Sequence, residues 1–373
     1  MSAVRVLVVD DSALMRRHLV QLLENEKGLE VQSARNGEEA LTLIEQFDPH
    51  VVTLDVNMPQ MDGITCLARI MVGSPRPVIM VSSITECGAE ATLQALSLGA
   101  LDYVQKPGGT ISLSLEQVAD ELIRKIRMAV KSGRRTARGA LSSARAPAAA
   151  RPTAAAASDV PTRLPRPVAR AAPEDPPGLV LIGVSTGGPL SLEQILPALP
   201  AQLPWPVIVA QHMPRSFTGV FARRLDKLCP LRVSEVATQT DMLPGNIYIA
   251  RGDSDVLVVR RAGRLFLTSV PASETHAWHP SVTRMVESAA EHVPAERLLC
   301  VQLTGMGDDG AEAMATLKRQ GARTIAQDED SCAVFGMPHE LIRRGGATAV
   351  LPTHAIAGQI ARWLNTASLR RAG

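Results

Sequence analysis

Aromatic residues are scarce in this chain: five Phe, three Trp and two Tyr make up 3% of 373 residues. Hydrophobic residues still reach 46%, so the cores must be built from Leu, Val, Ile and Ala. Cysteine is scarce too. Cys66, Cys87, Cys229, Cys300 and Cys332 are scattered, odd in number and form no CxxC pair. That excludes a disulfide framework or a thiolate metal site and points to reduced thiols. No apolar run approaches the ~18–20 residues of a membrane span. The first apolar run meets Asp10-Asp11 too early for a signal peptide, so a soluble cytoplasmic protein without membrane insertion is expected. An excess of one charge is also missing. The net charge of +2 is not concentrated on any folded segment; by itself it argues neither way on nucleic acid, and no such partner is expected. The length suggests roughly two or three domains.

Residues 1–130 alternate strand and helix patterns. Strands are predicted at 4–9, 29–34, 51–54, 78–81 and 102–104. Helices are predicted from a Ser12 cap to near Asn25, then at 38–47, 63–72, 89–98 and 116–130. Five such units mean an α/β domain, a doubly wound parallel sheet with ligands gathered at the C-terminal strand ends. The polar residues fall there: Asp10 and Asp11 after the first strand, Asp55 after the third, Ser82 after the fourth, Lys106 after the fifth. Converging carboxylates repel one another unless a cation compensates, and hard oxygen ligands suit Mg²⁺.

This set, with Asn57-Met58-Pro59, Met61-Asp62-Gly63 and Lys106-Pro107, resembles the receiver domain of two-component response regulators, a flavodoxin-like fold. The resemblance implies that Asp55 accepts a phosphoryl group from a histidine kinase. It implies Mg²⁺ held by Asp10, Asp11, Asp55 and the backbone carbonyl of Asn57. Ser82 and Lys106 would contact the phosphoryl oxygens, and Tyr103 stands where the family's switch aromatic stands.

From 131 to 177 alanine, proline, arginine and serine dominate, and Pro147, Pro152, Pro161 and Pro165 would interrupt any helix. Such a composition cannot bury enough surface to offset ordering entropy, so a disordered, flexible linker is expected. A second domain, 178–373, alternates again and reads as a Rossmann-like parallel sheet, with a β-hairpin predicted at 254–260 and 264–268 around Ala262-Gly263. Its first strand, 179–183, runs into Gly183-x-Ser185-x-Gly187, the nucleophile-elbow pattern, with Pro189 opening a helix. A second strand ends in Gln211-His212-Met213-Pro214, and strand 298–303 ends in Thr304-Gly-Met-Gly-Asp308-Asp309-Gly310.

At one sheet edge these residues can meet. Serine needs a base near neutral pH, imidazole with its reference pKa near ~6.5 suits the role, and a carboxylate orients it. Locally, Asp308 and Asp309 are equivalent, since either could simply stabilise a helix start. The rival reading is nucleotide binding, because Gly305-Met-Gly307-Asp-Asp-Gly310 fits G-x-G-x-x-G. Two aspartates where a pyrophosphate would lie argue against it.

Gly183-Val-Ser185-Thr-Gly-Gly, Gln211-His212-Met-Pro, Leu303-Thr-Gly-Met306-Gly-Asp-Asp309-Gly, Gln327-Asp-Glu-Asp-Ser331 and Phe335-Gly-Met-Pro338 resemble the bacterial chemotaxis protein-glutamate methylesterases. With the receiver in front, the resemblance covers all but the linker. It implies Ser185 as nucleophile, His212 as base, Asp309 as triad acid and the Met306 backbone N–H as oxyanion-hole donor. It further implies hydrolysis of glutamate γ-methyl esters on the cytoplasmic helices of methyl-accepting chemoreceptors. Deamidation of selected receptor glutamines, a chemotaxis histidine kinase as phosphodonor and no cofactor for the ester chemistry complete the expectation. One segment departs: the family's Arg-Pro-Ser-x-Asp is His279-Pro280-Ser281-Val282-Thr283 here. The substitution is expected to remove an ionic contact near the active-site loops while leaving the triad intact. The alternative function is a non-catalytic two-component scaffold whose second domain binds a partner or a nucleotide.

Overall fold

A computed structural model describes residues 3–82, 85–106, 119–131 and 178–369. Beyond Lys131, the expected linker lies outside the described residues, as does Pro107. The first domain runs β1 (Val4–Val9), α1 (Ala13–Glu24), β2 (Leu29–Ala34), α2 (Gly37–Phe47), β3 (Val51–Asp55), α3 (Gly63–Gly73), β4 (Val78–Ser82), α4 (Glu86–Ser97), β5 (Asp102–Gln105) and α5 (119–131). Its sheet is parallel, in the order β2-β1-β3-β4-β5. Helices cover both faces, so β3 and β4 are buried at every position. Ser12 caps α1 as its sequence predicts, accepting from the Met15 N–H.

The second domain begins with β6 (Leu179–Val184), α6 (Gly188–Ile195), β7 (Val207–Gln211), α7 (Arg215–Leu228), β8 (Arg232–Val236), β9 (Thr240–Asp241) and β10 (Asn246–Ala250). It continues with β11 (Ser254–Arg261), β12 (Arg264–Pro271), α8 (Val282–His292), β13 (Leu298–Gln302), α9 (Ala311–Arg319), β14 (Arg323–Gln327), α10 (Met337–Arg343), β15 (Ala349–Leu351) and α11 (Thr353–Leu369). Seven parallel strands lie in the order β15-β14-β13-β6-β7-β10-β8. The chain winds outward from β6 through β7, then returns to β13 on the other side. The β6/β13 boundary is therefore the topological switch point, where crevices open at strand C-termini.

The predicted hairpin is present as β11–β12, turning at Ala262 and Gly263, both with positive φ. The short β9 adds a third, antiparallel strand to it that the sequence did not signal. Met337 and Pro338, part of the Phe335-Gly-Met-Pro338 motif, open α10, with Pro in the first turn where its missing N–H costs nothing.

The two domains pack together through α4, β5 and α5. The Tyr103 ring stacks on Phe217 of α7, with centroids 4.6 Å apart. Gln105 Nε2 donates to Ser216 Oγ at 2.8 Å. At the rim, Arg224 Nη2 donates to Ser97 Oγ at 2.8 Å, and Ser97 Oγ donates to Glu193 at 2.9 Å.

Candidate active site

Three strand ends of the second sheet meet at one cavity of about 250 Å³. Ser185 follows β6 in a turn with Gly187 at φ +76°, before α6. A methyl group on Gly187 would come within 2.4 Å of Ala333, and one on Gly188 within 2.0 Å of Gln211, so both positions need glycine. His212 follows β7, and its ring is fixed by Asp309, which follows β13: Nε2 lies 2.9 Å from Asp309 Oδ2. The buried Nδ1 has no hydrogen-bond partner and is the nitrogen left to act as base.

Asp309 sits on the N-terminus of α8. Its Oδ2 accepts from the Val282 N–H at 2.7 Å. Its Oδ1 accepts from the Thr283 N–H at 2.9 Å, the Thr283 hydroxyl at 2.6 Å and Ser281 Oγ at 3.3 Å. Burial alone would raise this carboxyl. The bond and charge of His212 and the two Thr283 donors outweigh burial and hold it down to about 2. Asp308, by contrast, points outward to Arg344 at 2.9 Å and is mostly exposed. The geometry thus separates two aspartates that sequence alone left equivalent. It also fills the G-x-G-x-x-G turn with a carboxylate, against the nucleotide reading.

Met306 lies on the cavity wall beside Ser185. The Ser185 N–H is already committed to the Thr304 carbonyl at 3.0 Å, so it cannot serve a developing oxyanion. The sequence reading missed a set of supporting groups. Gln211 Nε2 donates to the carbonyls of Ser185 (2.9 Å) and His212 (3.1 Å), tying the Ser185 turn to the His212 loop. Gln302 Nε2 donates to the Asp309 carbonyl at 3.1 Å. The signal was available: β7, β13 and β14 are apolar strands that each end in glutamine.

The departing segment corrects the expected loss of an ionic contact. Asp255, fully buried, accepts from Arg284 Nη1 at 2.6 Å and the Ser281 N–H at 2.7 Å, and lies 3.0 Å from His279 Nδ1. Burial would raise its pKa, but these partners together lower it. The segment keeps its ionic anchor; the partner is Asp255.

The receiver roofs the cavity. Thr186, next to Ser185, donates to Asp102 Oδ2 of β5 at 2.6 Å. Asp102 in turn faces Lys125 Nζ of α5 at 3.2 Å, which also meets Glu121 at 2.9 Å. Burial would lower the Lys125 pKa, but Asp102 and Glu121 raise it, so the ammonium stays charged at the interface.

At the receiver's own strand ends, carboxylate oxygens of Asp10, Asp11 and Asp55 all lie within 4.8 Å of one another. Lys106 Nζ lies 2.9 Å from Asp10 and 2.7 Å from Asp55. Burial and the charge on Asp10 raise the Asp55 pKa, and together they outweigh the bond and charge of Lys106, which lower it. A hard divalent cation fits this crowded oxygen set. Asn57 adjoins it, its N–H donating to Asp55 Oδ1 at 3.4 Å. Ser82 donates to the Gly88 carbonyl at 3.2 Å, and Tyr103 is buried with its hydroxyl unpartnered.

A receiver packed over a serine-hydrolase-like crevice defines the class: a response regulator whose effector domain is a hydrolase. The comparisons agree. Residues 6–115 match the response regulator receiver domain and residues 180–360 the CheB methylesterase domain. A protein-glutamate methylesterase/protein-glutamine glutaminase of Rhodospirillum rubrum is 55% identical over 97% of this chain and 96% of its own length. One of Rhodopseudomonas palustris is 50% identical over 97% of this chain and 98% of its own. The crystal structure of the Thermotoga maritima CheB methylesterase catalytic domain is 38% identical, covering 50% of this chain and 97% of that one, with a TM-score of 0.48. The chain belongs to the receiver-containing protein-glutamate methylesterase family, and the hydrolase reading displaces the scaffold. Among the described residues no helix is long and apolar enough to cross a membrane.

Proposed function

We propose that this protein hydrolyses glutamate γ-methyl esters on the cytoplasmic helices of chemoreceptors, and deamidates selected glutamines there, under control of Asp55 phosphorylation. The observation that carries it is that Ser185 and His212 line one switch-point cavity roofed by the receiver, with Asp309 bonded to His212 from behind. Ser185 Oγ attacks the ester carbonyl and passes its proton to His212 Nδ1. Asp309 stabilises the imidazolium, and the Met306 N–H steadies the oxyanion. Methanol leaves with the proton held by His212. Water then attacks the acyl-serine by the same route and frees the glutamate; for glutamine the leaving group is ammonia.

The receiver spans 1–130 and the hydrolase 178–373, joined by the segment between. Asp10, Asp11, Asp55 and the Asn57 carbonyl would hold Mg²⁺, which would supply positive charge against these carboxylates; Asp55 takes the phosphoryl group. Lys106 and Ser82 contact the phosphoryl oxygens. Partners are a chemotaxis histidine kinase and methyl-accepting receptors, and the protein works in the cytoplasm. The test is methanol release from methylated receptors by protein treated with acetyl phosphate and Mg²⁺. Ser185→Ala should lower turnover by about 10³-fold or more. Full release by Ser185→Ala would reject the mechanism.

A further inference from the structure

Trp278 is one of three tryptophans in the chain and lies on the segment between β12 and α8. It lines the Ser185 cavity, half-buried, and belongs to neither core of its domain. Its ring is parallel to the His212 imidazole, with 8° between the planes and centroids 5.5 Å apart. Over the indole ring lies the Arg124 guanidinium of the receiver, 5.2 Å from the centroid. Arg124 makes no ion pair among the described residues, and beyond its own helix, where it donates to the Asp120 carbonyl, the indole is its partner. The attraction is therefore the ring's own, a cation resting on a π face.

We propose that Trp278 is a specificity-determining residue, an aromatic platform that takes an arginine or lysine side chain of the substrate helix flanking the scissile ester. The inference rests on the Ser185 hydrolase reading above. Withdrawal of the receiver removes Arg124 and uncovers imidazole and indole together. On a helix, side chains one turn apart have Cβ atoms about 5–6 Å apart. Such side chains are neighbours on one face, and an arginine or lysine stem is long enough to carry its charge over Trp278 while the ester lies at Ser185. Asp253, which also lines the cavity, adds a carboxylate that favours a cation there. In the closed form Arg124 holds the place the substrate's cation takes in the open one.

The test uses the full-length protein with Mg²⁺ and acetyl phosphate. Two helical peptides of one sequence carry a single glutamyl methyl ester, with either arginine or neutral citrulline four residues away. Methanol release should show a KM about three- to thirty-fold lower for the arginine peptide. Trp278→Leu should erase that difference by raising KM, with kcat for both peptides within about two-fold of the parent, and Trp278→Phe should keep most of it. Equal KM values in the parent, or discrimination surviving in Trp278→Leu, would overturn the platform while leaving the ester chemistry standing. So would a loss of kcat shared by both peptides, which would make the indole a support for His212 only. Turnover of either peptide by Ser185→Ala would overturn both readings.

Discussion

Asp308 and Asp309 are chemically identical neighbours with opposite surroundings. Asp309 is bonded to His212 and crowned by the first N–H groups of α8; Asp308 is exposed against Arg344. Asp309→Asn should therefore lower kcat by about 10²–10⁴-fold, and Asp308→Asn by less than about two-fold. Steady-state ester hydrolysis measures both, and equal losses would mean the acid is wrongly assigned. The carboxyl of Asp309 is held below its unfolded value of 3.8, to about 2. A depressed acid contributes stability in full above its unfolded pKa and loses it as pH falls through the folded one. The contribution, of order 2 kcal/mol, should thus fade between about pH 4 and pH 2. Denaturation of the hydrolase domain across that range should show the loss in the parent and a flatter profile in Asp309→Asn.

Thr283 reaches His212 through Asp309. Its hydroxyl donates to Oδ1 and accepts from the Gly310 N–H at 2.8 Å, so Thr283→Val strands that N–H and takes one bond from Oδ1. Unpaired groups of this kind cost about 1–3 kcal/mol. A fall in kcat of about tenfold or more is expected, with Thr283→Ser near the parent. A Thr283→Val enzyme with parental kcat would reduce the residue to a helix-cap ornament.

At the scale of elements, the loops of the site are braced by glutamines at strand ends. Gln211, Gln302 and Gln327 are essentially fully buried, and each donates into the loop that follows a strand. Gln211→Leu keeps the strand and removes two bonds, to the Ser185 and His212 carbonyls. A loss of turnover of about 10- to 100-fold is expected together with a lowered thermal midpoint; a lower midpoint with unchanged kcat would make the residue merely structural. These braces also mark how far the sequence could be read. Apolar runs bounded by glycine, proline and acid announced the parallel strands and placed Ser185, His212 and the aspartates at their ends. The short α10 stayed hidden, because seven residues opened by Met337-Pro338 carry too little periodicity. Two-residue β9 gave no pattern at all. Trp278 was missed because nothing local sets it apart; its meaning comes from His212, 66 positions earlier, and Arg124 in the other domain. Likewise, Asp255 could not be seen as the anchor of the His279 segment until the hairpin had been folded beside it.

At the scale of the whole molecule, turnover without phosphoryl is set by how often the receiver leaves the cleft. The contacts that hold it are of two kinds. Some cover the chemistry itself, as Asp102 on Thr186 and Arg124 on Trp278 do. Others lie at the rim, where Arg224 binds Ser97 of α4 and pairs with Glu193 at 2.5 Å. Arg224→Glu removes the bond to Ser97 and sets two carboxylates side by side under α4, leaving every group in the cavity in place. A docking loss of about 1–2 kcal/mol shifts the closed-to-open ratio by roughly 5–30-fold. Asp55→Asn should lose Mg²⁺-dependent phosphoryl uptake, so it supplies a background that opens only by mass action. Because burial raises the Asp55 carboxyl above its ordinary value, replacing it with a neutral amide should also stabilise the receiver at neutral pH. In that background, Arg224→Glu should lower the apparent KM several-fold with kcat unchanged, so that methanol release at subsaturating receptor rises, because only the open form binds substrate and the variant increases its fraction. If the double variant runs no faster than Asp55→Asn alone, the receiver does not limit access, and phosphorylation must act by strengthening the encounter with the receptor.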